Sequence, residues 1–138
     1  MVAYWLFKSE PTKYSWDRLV NEGRTHWDGV RNHQAASNLK AMQVGNRGLF
    51  YHSNVGLEVV GVVEVVRDYY PDPSDPTARF GMVDLRPLLP LGKPVTLKQI
   101  KADPQLAGMA LVRQSRLSVC PVTEAEWRQI CRLGGIAA

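Results

Sequence analysis

The chain carries VAYWLF at residues 2–7, followed directly by KSEP at residues 8–11. The first six of these residues are dense in β-branched and aromatic side chains, which predicts a buried β-strand. The strand is expected to end before Pro11, because proline has no backbone N–H to donate to a sheet. An aromatic-rich strand that runs into Lys, Ser and Glu therefore places polar groups at its end.

The other elements are predicted from capping residues and from the spacing of apolar side chains. Helices are expected from Ser15 to Gly23, Asn32 to Met42, Thr96 to Asp103 and Thr123 to Gly134. Further strands are expected over Leu49 to His52, Leu57 to Arg67, Phe80 to Leu85 and Leu117 to Val122. Residues 70–76 contain three prolines, so we expect an exposed loop there.

These elements predict one domain over residues 1–138, because no repeat or change in composition divides the chain. The fold class is α+β and mainly β, with about five to six strands sharing one core with short helices. A curved sheet or a small barrel is favoured. A doubly wound parallel sheet would need longer crossover helices at regular intervals.

The composition indicates a mild preference for polyanionic partners. Lys and Arg number 17 against 13 Asp and Glu, which gives a net charge of +4, and the pI is about 9.3. The arginines are scattered singly, so a basic face can form only if the fold gathers them. A solvated surface of mixed sign is the alternative. Cys120 and Cys131 fit neither a zinc nor a disulfide pattern, and we expect buried free thiols.

The sequence contains no signal-peptide pattern and no apolar run near the ~20 residues that cross a bilayer. We therefore expect no membrane association. The expected location is the cytoplasm, or the nucleus if the chain is eukaryotic.

Catalytic and metal-binding patterns are weak. His26, His33 and His52 lack the spacing of a metal site, and no Cys or carboxylate completes a set. Ser9, His52 and Asp28 could meet as a triad, but Ser9 lacks the glycine-flanked turn that activates a nucleophile. Glu10 remains open as a general acid or base, although a surface carboxylate is favoured.

The tryptophans carry more information. Trp16 and Trp127 lie on helical apolar stripes, which predicts core packing. Trp27 instead follows Thr25 and His26 in a polar segment without apolar periodicity, and a large aromatic residue in a polar loop usually makes a contact. Aromatic faces beside small polar groups suit a pocket for one flat, polar ring such as a modified nucleobase.

Four ordered motifs resemble the signature of the EVE domain across nearly the whole chain. They are WLFKSEP with YSW at 5–11 and 14–16, WDGVRN at 27–32, YHSN at 51–54 and RLSV at 116–119. The resemblance implies a fold like the PUA superfamily, a small bent β-barrel with flanking helices. His33 and Ala36 stand where the family pattern commonly has Tyr and Arg.

The resemblance also implies a non-catalytic reader of modified DNA bases, chiefly 5-methylcytosine or its hydroxymethyl form, with the base flipped into an aromatic pocket and no cofactor or metal. Modified RNA is the second choice of partner, a small enzyme acting through Glu10 or His52 is the rival, and a nuclease or other effector could be recruited. The implied pocket residues are Trp5, Ser9, Glu10, Trp27, Val30, Asn32 and Tyr51. The implied phosphate contacts are Lys8, Arg31, His52, Ser53 and Arg116.

Overall fold

The computed structural model describes residues 2–137, and within them the chain forms six strands and five helices. The strands are β1 (Tyr4–Ser9), β2 (Thr25–His26), β3 (Arg47–His52), β4 (Glu58–Pro71), β5 (Gly81–Thr96) and β6 (Val119–Val122). The helices are α1 (Trp16–Glu22), α2 (His33–Ala41), α3 (Leu97–Ala102), α4 (Ala110–Arg113) and α5 (Glu124–Leu133).

The strands form one mixed sheet in the order β2-β5-β4-β3-β1-β6. Strands β1 and β3 are parallel, whereas the other neighbouring pairs are antiparallel. The mainly β class and the number of strands are therefore confirmed. The prediction of a closed barrel is wrong, because the edge strands β2 and β6 do not pair with each other. These two strands have only two and four residues.

Strand β5 is much longer than the sequence predicts, and β4 continues to Pro71, which lies in the segment expected to be an exposed loop. They continue past Arg67 and Leu85 as one antiparallel pair, with register shifts at four places that allow it to bend. The later part of β5 contains Pro87, Pro90 and Pro94. Strand β2 pairs with β5 only at Asp84 and Leu85. Beyond Leu85, β5 is therefore an edge strand that pairs only with β4, and edge strands tolerate proline.

The helix caps predicted at Ser15, Thr96 and Thr123 form. The Ser15 side chain accepts from the Arg18 backbone N–H at 3.1 Å. Asn32, which is expected in the base pocket, caps α2 and accepts from the Ala35 backbone N–H at 2.9 Å. Thr96 and Thr123 each open a capping box. These predictions succeed because a cap depends only on its next three residues. In the described part of the chain, no helix is long and apolar enough to span a membrane.

The core contains both tryptophans that the helical stripes predict. Trp16 and Trp127 are buried, and the Trp127 ring stacks on Tyr4 with centroids 4.4 Å apart. Cys120 and Cys131 are buried and free, as the sequence predicts.

Two glycines make room for aromatic rings beside the sheet centre. The parallel register of β1 and β3 places Phe7 beside Phe50. A side chain at Gly48 would overlap the Phe7 ring, and one at Gly61 would overlap the Trp16 indole. Trp16 in turn packs edge-to-face on Phe50, with centroids 5.6 Å apart. The packing of Phe7 and Trp16 on this face of the sheet therefore depends on glycine at one position in β3 and one in β4.

We expect Gly61→Ala to lower the free energy of unfolding by about 1–3 kcal/mol, because the added methyl must displace the buried Trp16 ring. Gly108→Ala is the matched control, since nothing lies within 4 Å of a methyl group there. Urea denaturation followed by tryptophan fluorescence measures both. Equal stability of the two variants would contradict this packing argument.

Candidate functional site

The cavity that contains most of the predicted pocket residues brought together by the fold lies where the carboxyl end of β1 meets the segment that follows β2. Its volume is about 520 Å³. We call it the Trp27 cavity. Its lining residues are Lys8, Ser9, Glu10, Lys13, Tyr14, Arg18, Glu22, Thr25, His26, Trp27, Asp28, Gly29, Val30 and Ser118.

Trp27 is the aromatic wall of this cavity. Its half-buried indole makes edge-to-face contacts with Phe7 and Phe50, with centroids 5.4 and 5.8 Å apart, and with Tyr14 at 6.4 Å. Its backbone N–H donates to the Val83 carbonyl on β5 at 2.8 Å. The ring contacts and the backbone hydrogen bond together hold the indole in place, and part of its surface remains open to the cavity.

A buried carboxylate holds the loop that follows Trp27. Asp72 accepts from the Gly29 backbone N–H at 2.8 Å, from Arg31 at 3.1 Å and from the Ser74 hydroxyl at 2.6 Å. Burial alone would raise the pKa of Asp72, but the hydrogen bonds from Ser74, Gly29 and Arg31 outweigh it and lower the pKa to about 2. Asp72 therefore stays ionised and ties residues 27–31 to the loop after β4.

Tyr14, Arg18 and Glu22 form a polar network on one side of the cavity. The Tyr14 hydroxyl and the Arg18 Nε donate to the two Glu22 carboxylate oxygens at 2.7 and 3.1 Å. Burial, reinforced by Glu22, raises the pKa of Tyr14 to about 12, so the phenol keeps its proton. The bonds from Tyr14 and Arg18 lower the pKa of Glu22, which remains an anion.

The end of β1 supplies the opposite side. Lys8 Nζ donates to the Ser115 carbonyl at 2.9 Å, and burial lowers the pKa of this ammonium group. The Ser9 hydroxyl donates to the Tyr14 carbonyl at 2.6 Å. Glu10 accepts from the Asn54 amide and pairs with Lys13 at 3.0 Å.

The structure therefore brings five of the predicted site residues to one cavity, namely Lys8, Ser9, Glu10, Trp27 and Val30. It does not bring Trp5 there. The Trp5 indole is buried in the core, and its N–H donates to the Asn46 side chain at 3.1 Å. The expectation that two indoles wall one slot is corrected to a single indole, because Trp5 lies near the start of β1, four residues before Ser9, whereas the cavity is at the carboxyl end of this strand.

Other predicted residues are occupied in holding the fold. Tyr51 is buried outside the cavity lining. Asn32 caps α2, and Arg31 pairs with Asp72. The Ser53 backbone N–H donates to the Ser9 carbonyl at 2.9 Å, which joins the ends of β3 and β1.

His52 caps a helix instead of facing a phosphate. Its Nε2 accepts from the Trp16 backbone N–H at 3.1 Å, at the start of α1. Burial lowers the pKa of His52, which keeps the ring neutral and able to accept.

Arg116 lies in a second, adjoining groove of about 370 Å³, which we call the Arg116 groove. It is lined by Asn32, Gln34, Arg113, Gln114, Ser115, Arg116 and Leu117. No carboxylate occurs among these described lining residues. The groove lies near the Trp27 cavity, because Val30 and Ser118 line the cavity while their near neighbours in sequence, Asn32 and Leu117, line the groove.

Several cavity residues were missed by the sequence argument. Tyr14, Arg18 and Glu22 recur at four-residue intervals, a helical spacing that could have indicated a shared polar face. Thr25 and His26 carried no such signal, because strand β2 has only two residues and exists through its pairing with β5.

Within residues 2–137 no group of three or more His, Cys, Asp or Glu side chains is arranged to hold a metal ion. His26, His33 and His52 lie in separate surroundings, with His26 at the cavity and His33 against Phe80.

Residues 3–133 match the EVE domain family, and the chain belongs to that family. Thymocyte nuclear protein 1 of Rattus norvegicus is 32% identical over 164 residues, which cover 94% of this chain and 73% of that protein. An NMR structure of a Rhodopseudomonas palustris protein is 51% identical, with a TM-score of 0.93 over 97% of this chain and 94% of that one. The human THYN1 protein, solved in complex with DNA containing 5-methylcytosine, is 29% identical, with a TM-score of 0.90 over 99% of both chains.

We expect Asp72→Asn to lower the free energy of unfolding by about 1–3 kcal/mol at pH 7, because Gly29 and Arg31 lose an ionised acceptor. The pKa of Asp72 is about 2 in the folded protein, below the ~3.9 of an unfolded aspartate. The stabilisation is therefore complete above pH ~4 and is lost as the pH falls toward 2. Urea denaturation from pH 3 to 7 measures this, with exposed Asp68→Asn as the control. A difference that stays constant down to pH 3 would contradict it.

Proposed function

We propose that this EVE domain binds DNA and holds one modified base, 5-methylcytosine or its hydroxymethyl form, flipped out of the duplex against Trp27. The observation that carries the proposal is the half-buried indole in a cavity of about 520 Å³, a volume within the ~300–1,000 Å³ of small-molecule sites. The likeness of the whole fold to human THYN1, solved with DNA containing 5-methylcytosine, supports it.

The energetics favour an extruded base. Inside the duplex a 5-methyl group is accessible only at the edge of the major groove, whereas a flipped base offers both faces and its pairing edge. Extrusion costs a few kcal/mol. Stacking on Trp27 would return ~1–3 kcal/mol. Hydrogen bonds and methyl contacts must supply the remainder.

The lining of the Trp27 cavity contains groups suited to contact with the methyl group and groups suited to hydrogen bonds with the base. Val30 is the one aliphatic side chain among the described lining residues, and it offers an apolar surface to a methyl group. Tyr14, Ser9 and Glu22 provide hydroxyl and carboxylate groups near the indole. Glu22 is anionic and accepts hydrogen bonds, so it would disfavour a phosphate deep in the cavity.

The Arg116 groove would carry the DNA backbone away from the flipped base. It adjoins the cavity through residues 30–32 and 115–118, and its charged side chains are Arg113 and Arg116. Both arginines are exposed, but Arg113 Nε already donates to the Gly108 carbonyl at 2.6 Å. Arg116 is thus the better placed of the two to meet a phosphate.

We propose further that the domain does not catalyse a reaction on the base. Glu10 is engaged by Asn54 and Lys13, and His52 accepts from the backbone of α1. Each group would have to break a contact that holds the fold before acting as an acid or base. Incubating the protein with a methylated oligonucleotide and detecting a product by mass would overturn this part of the proposal.

We expect Trp27→Ala to abolish the preference for a methylated duplex, because the stacking surface of the pocket is lost. Fluorescence anisotropy with labelled duplexes, with and without one 5-methylcytosine, measures the affinity ratio. Circular dichroism checks that the variant folds. The wild-type protein should bind the methylated duplex more tightly than the unmethylated one.

Trp5→Phe is the matched control for this experiment. Trp5 is a buried tryptophan outside the cavity lining, so its loss should reduce stability while the methyl preference remains. Equal affinity of the wild-type protein for both duplexes would overturn the proposed function. Tighter binding of a matched methylated RNA than of the DNA would reassign the domain to RNA.

We expect Arg116→Ala to weaken binding of all duplexes, methylated or not, by a similar factor, because a phosphate contact carries no base information. The slope of log K against log salt concentration should fall by about one. Titrations at several NaCl concentrations measure it. Arg128→Ala removes the same charge from α5, where Arg128 pairs with Glu124, outside the lining of cavity and groove. An equal change in slope for both variants would contradict a local contact.

A further inference from the structure

A buried carboxylate on β5 orients a histidine at the edge of the Trp27 cavity. The side chain of Asp84 is only 2% exposed. Its Oδ2 accepts from Arg24 Nη2 at 2.7 Å, and its Oδ1 accepts from the Tyr70 hydroxyl and contacts His26 Nδ1 at 2.9 Å. Burial would raise the pKa of Asp84, but these bonds from His26, Tyr70 and Arg24 outweigh it and hold the pKa below its usual value.

This arrangement determines which imidazole nitrogen carries the proton. An ionised carboxylate can only accept, so the nitrogen facing Asp84 must be the donor, Nδ1–H. Burial and Asp84 raise the pKa of Tyr70 to about 12, so its hydroxyl keeps the proton that it gives to Asp84. The Tyr70 oxygen, 2.9 Å from His26 Nδ1, is then a second acceptor for the same N–H.

The other ring nitrogen is left for a ligand. With the proton fixed on Nδ1, Nε2 of the neutral ring carries a lone pair and is a hydrogen-bond acceptor. His26 and Trp27 both line the Trp27 cavity, and the His26 side chain is 64% exposed. Among the hydrogen bonds of the described residues, none involves Nε2.

We propose that His26 Nε2 accepts a hydrogen bond from the exocyclic amino group of the base held against Trp27, and so selects 5-methylcytosine over thymine. This inference rests on the proposed function. Both bases carry the same 5-methyl group, but cytosine presents an amino donor where thymine presents a carbonyl acceptor. A methyl contact alone therefore admits thymine, which every DNA contains. Rejecting it requires an acceptor of fixed tautomer.

Asp84 and Tyr70 are positioning residues in this scheme. They hold Nδ1–H in place but do not touch the base. Replacing Asp84 by Asn offers an amide N–H₂ to Nδ1, which would then accept and leave the proton on Nε2. Such a ring would donate toward the base and would favour the thymine carbonyl.

Binding to duplexes that differ at one base tests the proposal. One duplex carries 5-methylcytosine and the other thymine, each opposite an abasic site, so that neither base has a pairing partner to lose. The wild-type protein should bind the first about tenfold more tightly, the effect of one hydrogen bond of about 1.4 kcal/mol. His26→Phe should bind both with similar affinity. His33→Phe is the control, since His33 lies outside the cavity lining, and should keep the preference.

The outcomes separate this inference from the proposed function. A wild-type protein that prefers methylated to unmethylated cytosine but binds thymine equally well would overturn the role of His26 alone. A His26→Phe variant that still rejects thymine would do the same. A wild-type protein without any methyl preference would instead overturn the proposed function.

The variant at Asp84 distinguishes a positioning role from a merely structural one. Asp84→Asn, if folded by circular dichroism, should show a reduced preference for 5-methylcytosine over thymine, because Nε2 would then carry the proton and donate. A folded Asp84→Asn variant that keeps the full preference would overturn the proposal.

Discussion

The parallel pairing of β1 with β3 is the constraint on which the site depends. It sets Phe7 beside Phe50, and the edge-to-face contacts of these two rings hold the Trp27 indole. The arrangement requires Gly48 and Gly61, whose missing side chains leave space for Phe7 and Trp16. The cavity wall is thus fixed by strands far from Trp27 in sequence, and its rigidity follows from core packing.

Two buried carboxylates also hold the segments on either side of Trp27. Asp72 fastens the loop of residues 27–31, and Asp84 anchors Arg24, Tyr70 and His26 around β2. Each carboxylate accepts several hydrogen bonds, which offset the cost of its burial. The two aspartates therefore hold the segment around Trp27 from both sides, although neither lines the cavity.

Motif residues divide into two groups in the structure. Lys8, Ser9, Glu10, Trp27 and Val30 line the cavity. Asn32, Tyr51, His52 and Arg31 sit inside the same motifs but cap helices, fill the core or pair with Asp72. A motif therefore marks the neighbourhood of a site, whereas the role of each side chain follows from the partners that surround it.

The sequence by itself determined the local features. The caps at Ser15, Thr96 and Thr123 follow from neighbouring residues. The burial of Trp16 and Trp127 and the polar setting of Trp27 follow from the spacing of apolar residues. Tertiary structure decided the rest. Pairing between distant segments forms strand β2, extends β5 through its prolines and leaves the sheet open. It also places Trp5 outside the cavity, where its indole donates to Asn46. Local preference carries no information on which strand a segment will meet, and the protonated nitrogen of His26 is likewise set by Asp84, 58 positions away.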